Sequence, residues 1–284
     1  MKQVGVLLAA ALLAALVVAC GDGDDAAAPT TAATQTEAPI DVTEPAPSGL
    51  PQGDEPFPLD PADFVAEIDN PYWPMTPGNR WVFTEIDEEG NELRVEVTVT
   101  DEKRDIIGIS AAVVHDVVTM NGEVIEDTFD WYAQDVDGNV WYMGEATAEY
   151  EDGVVVSTAG SWEAGVDGAL AGVVVPGNPE VGMMYRQEYY AGEAEDVGEV
   201  LSLDEAVEVP FGSFEGCLQT EDTTPLEPDV LEHKYYCQSV GPVLAVDVGG
   251  GGGREELTSF EEGTSARSGW LEFGLLHIRF TVPS

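Results

Sequence analysis

The stretch RVEVTVT, residues 94–100, alternates polar and apolar residues without a break. A period of two places every apolar side chain on the same face of an extended strand. The alternation persists through most of the chain after Gly78, and Asn121-Gly122, a strong signal for a tight hairpin turn, separates two such segments. The sequence therefore predicts an all-β fold: an antiparallel meander that forms a large curved sheet, a barrel or a sandwich.

One short helix is predicted at residues 61–68, ahead of the first strand. Asp60 suits its N-cap and Pro61 its first position, and Pro71 follows soon after its end. Residues 183–190 predict a later strand, and GWLEFGLLHIRFTV at residues 269–282 predicts one or two more. Because no stretch clearly divides this region, we expect a single antiparallel β domain over residues 57–284.

The first 19 residues have the organisation of an export signal: a lysine at position 2 and then a run of Val, Leu and Ala. The run ends in VVACG, residues 17–21, which resembles the lipobox of bacterial lipoproteins. In that class the signal is removed ahead of the cysteine, which carries a diacylglycerol thioether, with acyl chains such as palmitate. We therefore predict a signal peptide at residues 1–19 and lipid attachment at Cys20. An ordinary signal peptide with a chance cysteine is the alternative.

Residues 20–56 contain Ala, Thr, Pro and acidic residues with almost no large apolar side chain. Such a composition cannot bury enough surface to fold, so a disordered tether is predicted. Together with the lipid on Cys20, it would hold the β domain outside the cytoplasm on the cell membrane.

The charge of the chain is strongly one-sided, with 55 acidic and 10 basic residues and a formal net charge of -45. A surface of this kind repels nucleic acid and anionic lipid headgroups, so nucleic-acid binding is excluded. A solvated acidic coat explains most of the carboxylates without any metal site.

Two further cysteines, Cys217 and Cys237, remain after Cys20 is assigned to the lipid. An exported chain reaches an oxidising compartment, so a disulfide between them is predicted. It would close a loop of about 20 residues and contribute on the order of 3 kcal/mol.

Aromatic and acidic residues are densest in residues 126–145. Trp131 and Trp141 lie there, and Trp162 follows in a glycine-rich loop, GSWEAGVDGA, residues 160–169. Rings beside carboxylates suit a ligand-binding surface, for example one for sugars. Cross-strand aromatic pairing that stabilises the sheet is the alternative. In the same regions Glu145, Glu163 and Asp167 are weak candidates for an acid and base pair.

Asp135, Asp137 and Asn139 are candidate calcium ligands, because they present carboxylate and amide oxygens at alternate positions. The spacing departs from that of an EF-hand loop, since the glycine comes early and the closing glutamate is missing. A β-turn built on Asp-Gly explains the same residues without a metal.

Several motifs together resemble an uncharacterised family of exported bacterial proteins and lipoproteins, over roughly residues 69–248. The motifs are NPYWP (70–74) with Pro77, Gly78 and Trp81, EDT (126–128), DWYAQD (130–135), GNVWY (138–142), GSWEAG (160–165) and KYY (234–236). The resemblance implies a single exported β domain. No reaction is assigned to the family, so it implies nothing about a substrate.

Three hypotheses follow. The first is a non-enzymatic lipoprotein, a monomer without a cofactor, that binds an unknown envelope ligand or protein. The second is a calcium-stabilised structural module that uses Asp135, Asp137 and Asn139. The third is a hydrolase of envelope glycans or esters that uses Glu145, Glu163 or Asp167.

Overall fold

The computed structural model describes residues 49–87, 89–250 and 252–263, and most of them lie in antiparallel β-strands. The predicted signal peptide, Cys20, most of the predicted tether and the predicted strands at residues 269–282 lie outside the described residues. The strands are β1 (Phe64–Val65), β2 (Arg80–Ile86), β3 (Glu92–Ile106), β4 (Ile109–Met120), β5 (Glu123–Asp135), β6 (Val140–Glu151), β7 (Val154–Ser157), β8 (Trp162–Glu163), β9 (Leu170–Val175), β10 (Met184–Arg186), β11 (Glu188–Tyr189), β12 (Val197–Val209), β13 (Gly212–Thr223), β14 (Leu231–Cys237), β15 (Gly241–Asp247) and β16 (Arg254–Glu261).

The strands form one nearly closed, barrel-like sheet. Two meanders, β2 to β6 and β12 to β16, are joined where β16 pairs with β2. Closure depends on residues 184–189, here called the closure segment. Its first half, β10, pairs with β12, and its second half, β11, pairs with β9 on the opposite side of the sheet. The predicted strand at 183–190 is therefore two short strands that bridge the two edges.

Residues 94–100 form part of a strand whose side chains alternate between the two faces of the sheet, as predicted. Val95, Val97 and Val99 of β3 are buried inside the sheet, while the polar residues between them face outward. Val97 lies opposite Trp81 of β2, which is fully buried. Burial of such side chains, at about 25 cal/mol per Å² of apolar surface, is the main stabilising contribution.

The predicted hairpin turn at Asn121-Gly122 is confirmed. Both residues have positive φ, 55° and 84°, which is the geometry of a tight two-residue hairpin between β4 and β5. A second turn at Ile107-Gly108, with φ of 48° and 86°, separates β3 from β4.

The predicted helix at residues 61–68 is wrong beyond its first turn. A 3-10 turn covers Pro61–Asp63, capped by Asp60, whose side chain accepts a hydrogen bond from the Ala62 N–H at 2.9 Å. The chain then becomes extended as β1 and pairs with the end of β5, and the Phe64 ring packs against Trp141. One turn of helix has little stability of its own, so the strand pairing and the ring contact prevail.

Two features tie the domain together. A disulfide joins Cys217 and Cys237, as predicted. Arg186 of the closure segment is buried and donates hydrogen bonds to the carbonyls of Gly53, Glu55 and Ala171. The last residues assigned to the tether therefore contact the domain. In the described part of the chain no helix is long and apolar enough to span a membrane.

Candidate functional site

A cleft of about 1020 Å³ opens against the outer face of β6. Its apolar floor includes the half-buried rings of Phe57 and Phe64, which pack against the buried ring of Trp141 with centroids 5.4 and 6.2 Å away. Val181 and Met183, just before the closure segment, form part of its wall. Loop residues ahead of β1 and β10 thus meet over one tryptophan. Concave sites with an aromatic floor are the usual form of a small-ligand site.

Acidic side chains surround this apolar floor. Asp63, Asp137 and Glu180 are exposed around it, and Glu199 reaches it from β12. No lysine, arginine or histidine lines the cleft among the residues that the structure describes. The resulting potential is negative and favours cations over anions.

The candidate calcium residues lie in the wall of this cleft, and Asp135 is already hydrogen-bonded. Its carboxylate accepts from the backbone N–H groups of Asp137 and Asn139, at 3.0 and 2.9 Å, and from the Asn139 side chain. It also accepts from the indole N–H of Trp141 at 2.8 Å. This is the hydrogen bonding of an Asp-Gly turn, and it fixes the buried tryptophan at the bottom of the cleft. Within residues 49–87, 89–250 and 252–263 no group of three Asp, Glu, His or Cys side chains is arranged to hold a metal ion.

The three candidate tryptophans do not share one surface. Trp141 lies at the bottom of the cleft and is 2% exposed. Trp131 lies on the outer face of β5 beneath the guanidinium of Arg104, 3.9 Å from its ring centroid. Trp162 lies inside the sheet, where its indole N–H donates to Glu188 at 2.8 Å. Trp141 alone of the three lines the cleft.

The candidate catalytic acids are also separated. Glu145 of β6 is buried inside the sheet, with 1% of its surface exposed. Glu163 faces outward and forms an ion pair with Arg104, whose Nε lies 3.0 Å from the carboxylate. Asp167 is exposed in the turn after β8. Gly144, the residue before Glu145, must be a glycine because a Cβ there would overlap the carbonyl oxygen of Trp162 on β8.

The interior of the sheet holds a second acidic region, here called the interior acids. Its members are carboxyl side chains that point inward because side chains alternate between the two faces of a strand. They are Glu85, Asp116, Glu126, Asp130, Glu145, Glu188, Asp222 and Glu255, all buried, together with the largely buried Asp196 and Glu232.

One buried cation accompanies the interior acids. The Lys234 ammonium lies 2.9 Å from Asp222 and 3.5 Å from Glu232, and its side chain is 14% exposed. Among the other interior acids, Asp130 accepts a hydrogen bond of 2.6 Å from the Tyr142 hydroxyl. In contrast, both carboxyl oxygens of Glu145 and of Glu255 are buried without a hydrogen-bond partner.

Burial raises the pKa of these carboxyls, because a charge is costly to remove from water. Burial raises the pKa of Glu126 to about 7 and that of Glu232 to about 7. Burial raises the pKa of Asp130 to about 6, opposed by the hydrogen bond from Tyr142. The pKa of Glu145 is raised well above its usual value by burial and by the neighbouring Glu188 and Asp130. Much of this interior therefore carries protons near neutral pH.

Of the interior acids, only Glu145 is a candidate site residue by sequence. The signal was present on β5, where Asp130 and Tyr132 share one face and Trp131 and Ala133 the other. Both faces carry aromatic rings, so the pattern did not show which face was the interior. The pairing with β6 shows that the face of Asp130 and Tyr132 is the interior one, because Asp130 lies opposite the buried Glu145 and Tyr132 lies opposite the buried Tyr142.

Comparison with known proteins gives two distant structural likenesses. No family model matches the chain, and no curated protein matches it. A protein of Bacteroides fragilis, inferred to be exported and with a YmcC-like fold, is 12% identical, covers 67% of this chain and 98% of its own, and has a TM-score of 0.40. An inferred lipoprotein of Parabacteroides distasonis is 12% identical, covers 68% and 99%, and has a TM-score of 0.38.

Proposed function

We propose that this chain is a lipid-anchored, extracytoplasmic binding protein whose cleft takes a small cationic ligand with an apolar group. The observation that carries the proposal is the cleft itself, an aromatic floor surrounded by carboxylates with no basic residue in its described lining. Its volume of about 1020 Å³ is at the upper end of the range of small-molecule sites.

The rest of the chain supports this choice of ligand. Residues 20–48 contain acidic residues and no lysine or arginine, so they offer no side-chain cation that would suit the cleft. A second copy of the chain, with a net charge of -45, is repelled in the same way. Inside the sheet, a cavity of about 30 Å³ between Tyr132, Tyr142 and Tyr236 has room for about one water. The outer cleft is therefore the better place for an organic ligand.

The location is supported by two sequence features. The segment that ends at Cys20 has the order of a lipoprotein signal, and the Cys217–Cys237 disulfide suits an oxidising compartment. If Cys20 carries the lipid, Cys20→Ala abolishes membrane association of the expressed protein. Unchanged association in that variant would exclude the anchor.

The ligand class is tested with three dansyl probes that share one ring system and differ in charge. We expect the amine dansylcadaverine to bind, the neutral dansylamide to bind more weakly, and the anionic dansylglycine to show no binding, as measured by the increase in dansyl fluorescence. Equal binding of all three probes, or of none, would reject a cationic ligand.

The place of binding is tested by neutralising the acids around the cleft. In the variant Asp63→Asn/Glu180→Gln/Glu199→Gln we expect dansylcadaverine affinity to fall about tenfold or more, since it loses three nearby charges. The matched control is Glu102→Gln/Glu123→Gln/Glu151→Gln, which removes the same charge from exposed positions elsewhere. An equal loss in the control would indicate a general electrostatic attraction rather than a site.

A further inference from the structure

Four of the interior acids form a continuous series, here called the carboxyl chain: Asp130 of β5, Glu145 of β6, Glu188 of β11 and Asp196, which precedes β12. Asp130 and Glu145 lie directly opposite each other in the pairing of β5 with β6. Glu188 is the neighbour that contributes most to the charge repulsion at Glu145. The chain therefore runs from the middle of the sheet to the point where the sheet closes.

The contact between Glu188 and Asp196 requires a proton. Oε1 of Glu188 and Oδ1 of Asp196 are both buried without a hydrogen-bond partner, and each carboxyl raises the cost of a charge on the other, so this end of the series is stable when it holds a proton. The other oxygen of Glu188, Oε2, accepts from the Trp162 indole N–H at 2.8 Å. Burial and the adjacent acid raise the pKa of Glu188 well above its usual value, and burial raises that of Asp196 to about 7.

This contact lies at the closure of the sheet. Glu188 is on the closure segment, and Asp196 lies just before β12, the strand with which β10 pairs. Nearby, the Gln187 N–H donates to the Asp196 carbonyl at 2.7 Å, and Glu188 itself pairs with Ala171 of β9. The strands that pair here, β10 and β11, are only three and two residues long.

Charged and titratable groups face the carboxyl chain from the surrounding strands, and half of them are further carboxyl groups. They are Asp116 of β4, Glu126 and Tyr132 of β5, Tyr142 of β6, Asp222 of β13, and Glu232 and Lys234 of β14, with His115 acting on Asp130 from the outer face of β4. One buried ammonium cannot neutralise so many carboxylates, so protons must do so.

We propose that the carboxyl chain is a proton-dependent clasp that keeps the closure segment docked while it is protonated and releases it when it ionises. As the pH rises through the range in which Asp196 titrates, Glu188 and Asp196 both become carboxylates. Two buried charges then lie close together, each with an oxygen that lacks a hydrogen-bond partner, and repel each other. The sheet opens between β10–β11 and their partners, while the meanders β2 to β6 and β12 to β16 stay paired.

Hydrogen exchange of the intact protein, followed by mass spectrometry, tests the clasp. After correction for intrinsic exchange rates, we expect opening of residues 184–199 to increase about tenfold or more between about pH 5.5 and pH 8, since each pH unit can change the equilibrium about tenfold per carboxyl. Peptides from β3 and β4 should change much less. No change at the closure segment, or an equal change across the whole sheet, would overturn the proposal.

Two amide variants identify the groups responsible. Glu188→Gln can still accept from Trp162 and carries no charge at any pH, so it imitates the protonated state and should remove most of the pH dependence at residues 184–199. Glu145→Gln should reduce it, and it provides a second test if the first variant does not fold. The control Glu193→Gln, in the turn before Asp196, should retain the full pH dependence. Persistence of the full effect in both Glu188→Gln and Glu145→Gln would overturn the clasp.

Discussion

The acids around the cleft and the interior acids are the same two residue types in opposite environments. Asp63, Asp137 and Glu180 are exposed and create a negative surface that can attract a cation. Glu145 and Glu255 are buried with unpaired oxygens, and there the same carboxyl is stable chiefly in its protonated form. The net charge of -45 therefore overstates the charge that the folded protein carries at neutral pH.

The position of an acid along its strand decides its environment, because successive side chains point to opposite faces of the sheet. On β5, Glu126 and Asp130 face inward, whereas Asp127 faces outward and pairs with His115 at 2.7 Å. On β16 the neighbours Glu255 and Glu256 divide in the same way, the first fully buried and the second paired with Arg254. Adjacent residues of identical chemistry thus provide internal controls for each other.

The largest expected effect comes from removing the buried cation. Lys234→Met should lower the free energy of unfolding by about 3 kcal/mol near neutral pH, because Asp222 and Glu232 lose their partner inside the sheet. Urea denaturation measures the change. The comparison variant Arg94→Met removes an exposed ion pair with Glu96 and should cost less than about 1 kcal/mol. Equal losses would show that the interior is not a distinct environment.

A smaller effect of opposite sign is expected from Glu255→Gln. Glu255 lies opposite Glu85 between β16 and β2, and burial together with Glu85 raises its pKa well above the usual value. A neutral amide removes the requirement for a proton, so stability at about pH 8 should increase by about 1 kcal/mol, with little change at about pH 5. Its neighbour variant Glu256→Gln should lose less than about 1 kcal/mol. Destabilisation by Glu255→Gln at the higher pH would contradict a protonated interior.

The smallest effect is expected at Glu163, one of the candidate catalytic acids. Its ion pair with Arg104 is partly exposed, so Glu163→Gln should cost less than about 1 kcal/mol in urea denaturation. Because the cleft is lined by other residues, dansylcadaverine binding should stay unchanged. A loss of binding in this variant would place the ligand at β8 rather than at Trp141.

The sequence predicted the parts of the fold that depend on local pattern. Residues 94–100 form a strand with its valines inside, and Asn121-Gly122 forms the tight turn, because period and turn chemistry act within a few residues. The helix at residues 61–68 failed since β1 gains pairing with Asp135 and Gln134, which lie about 70 residues further along the chain.

The candidate site was less predictable, for a physical reason. Trp141 was singled out, but its partners Phe57 and Phe64 come from a different segment. The interior acids come from eight different strands and from the residue before β12, and they repel one another only once the sheet has brought them together. The closure itself depends on residues 184–189, which gave the pattern of an ordinary strand.

The most direct test of the central claim, that the interior holds protons, is the free energy of unfolding as a function of pH. Folding raises the pKa of Glu126, Asp196 and Glu232 to about 7, so the folded state binds more protons than the unfolded state between about pH 5 and pH 7. We predict that stability in urea is greatest at the acidic end of this range and falls by about 1.4 kcal/mol per pH unit for each such carboxyl, until it levels off above their folded pKa. Stability that is constant or rises from pH 5 to pH 8 would contradict the account.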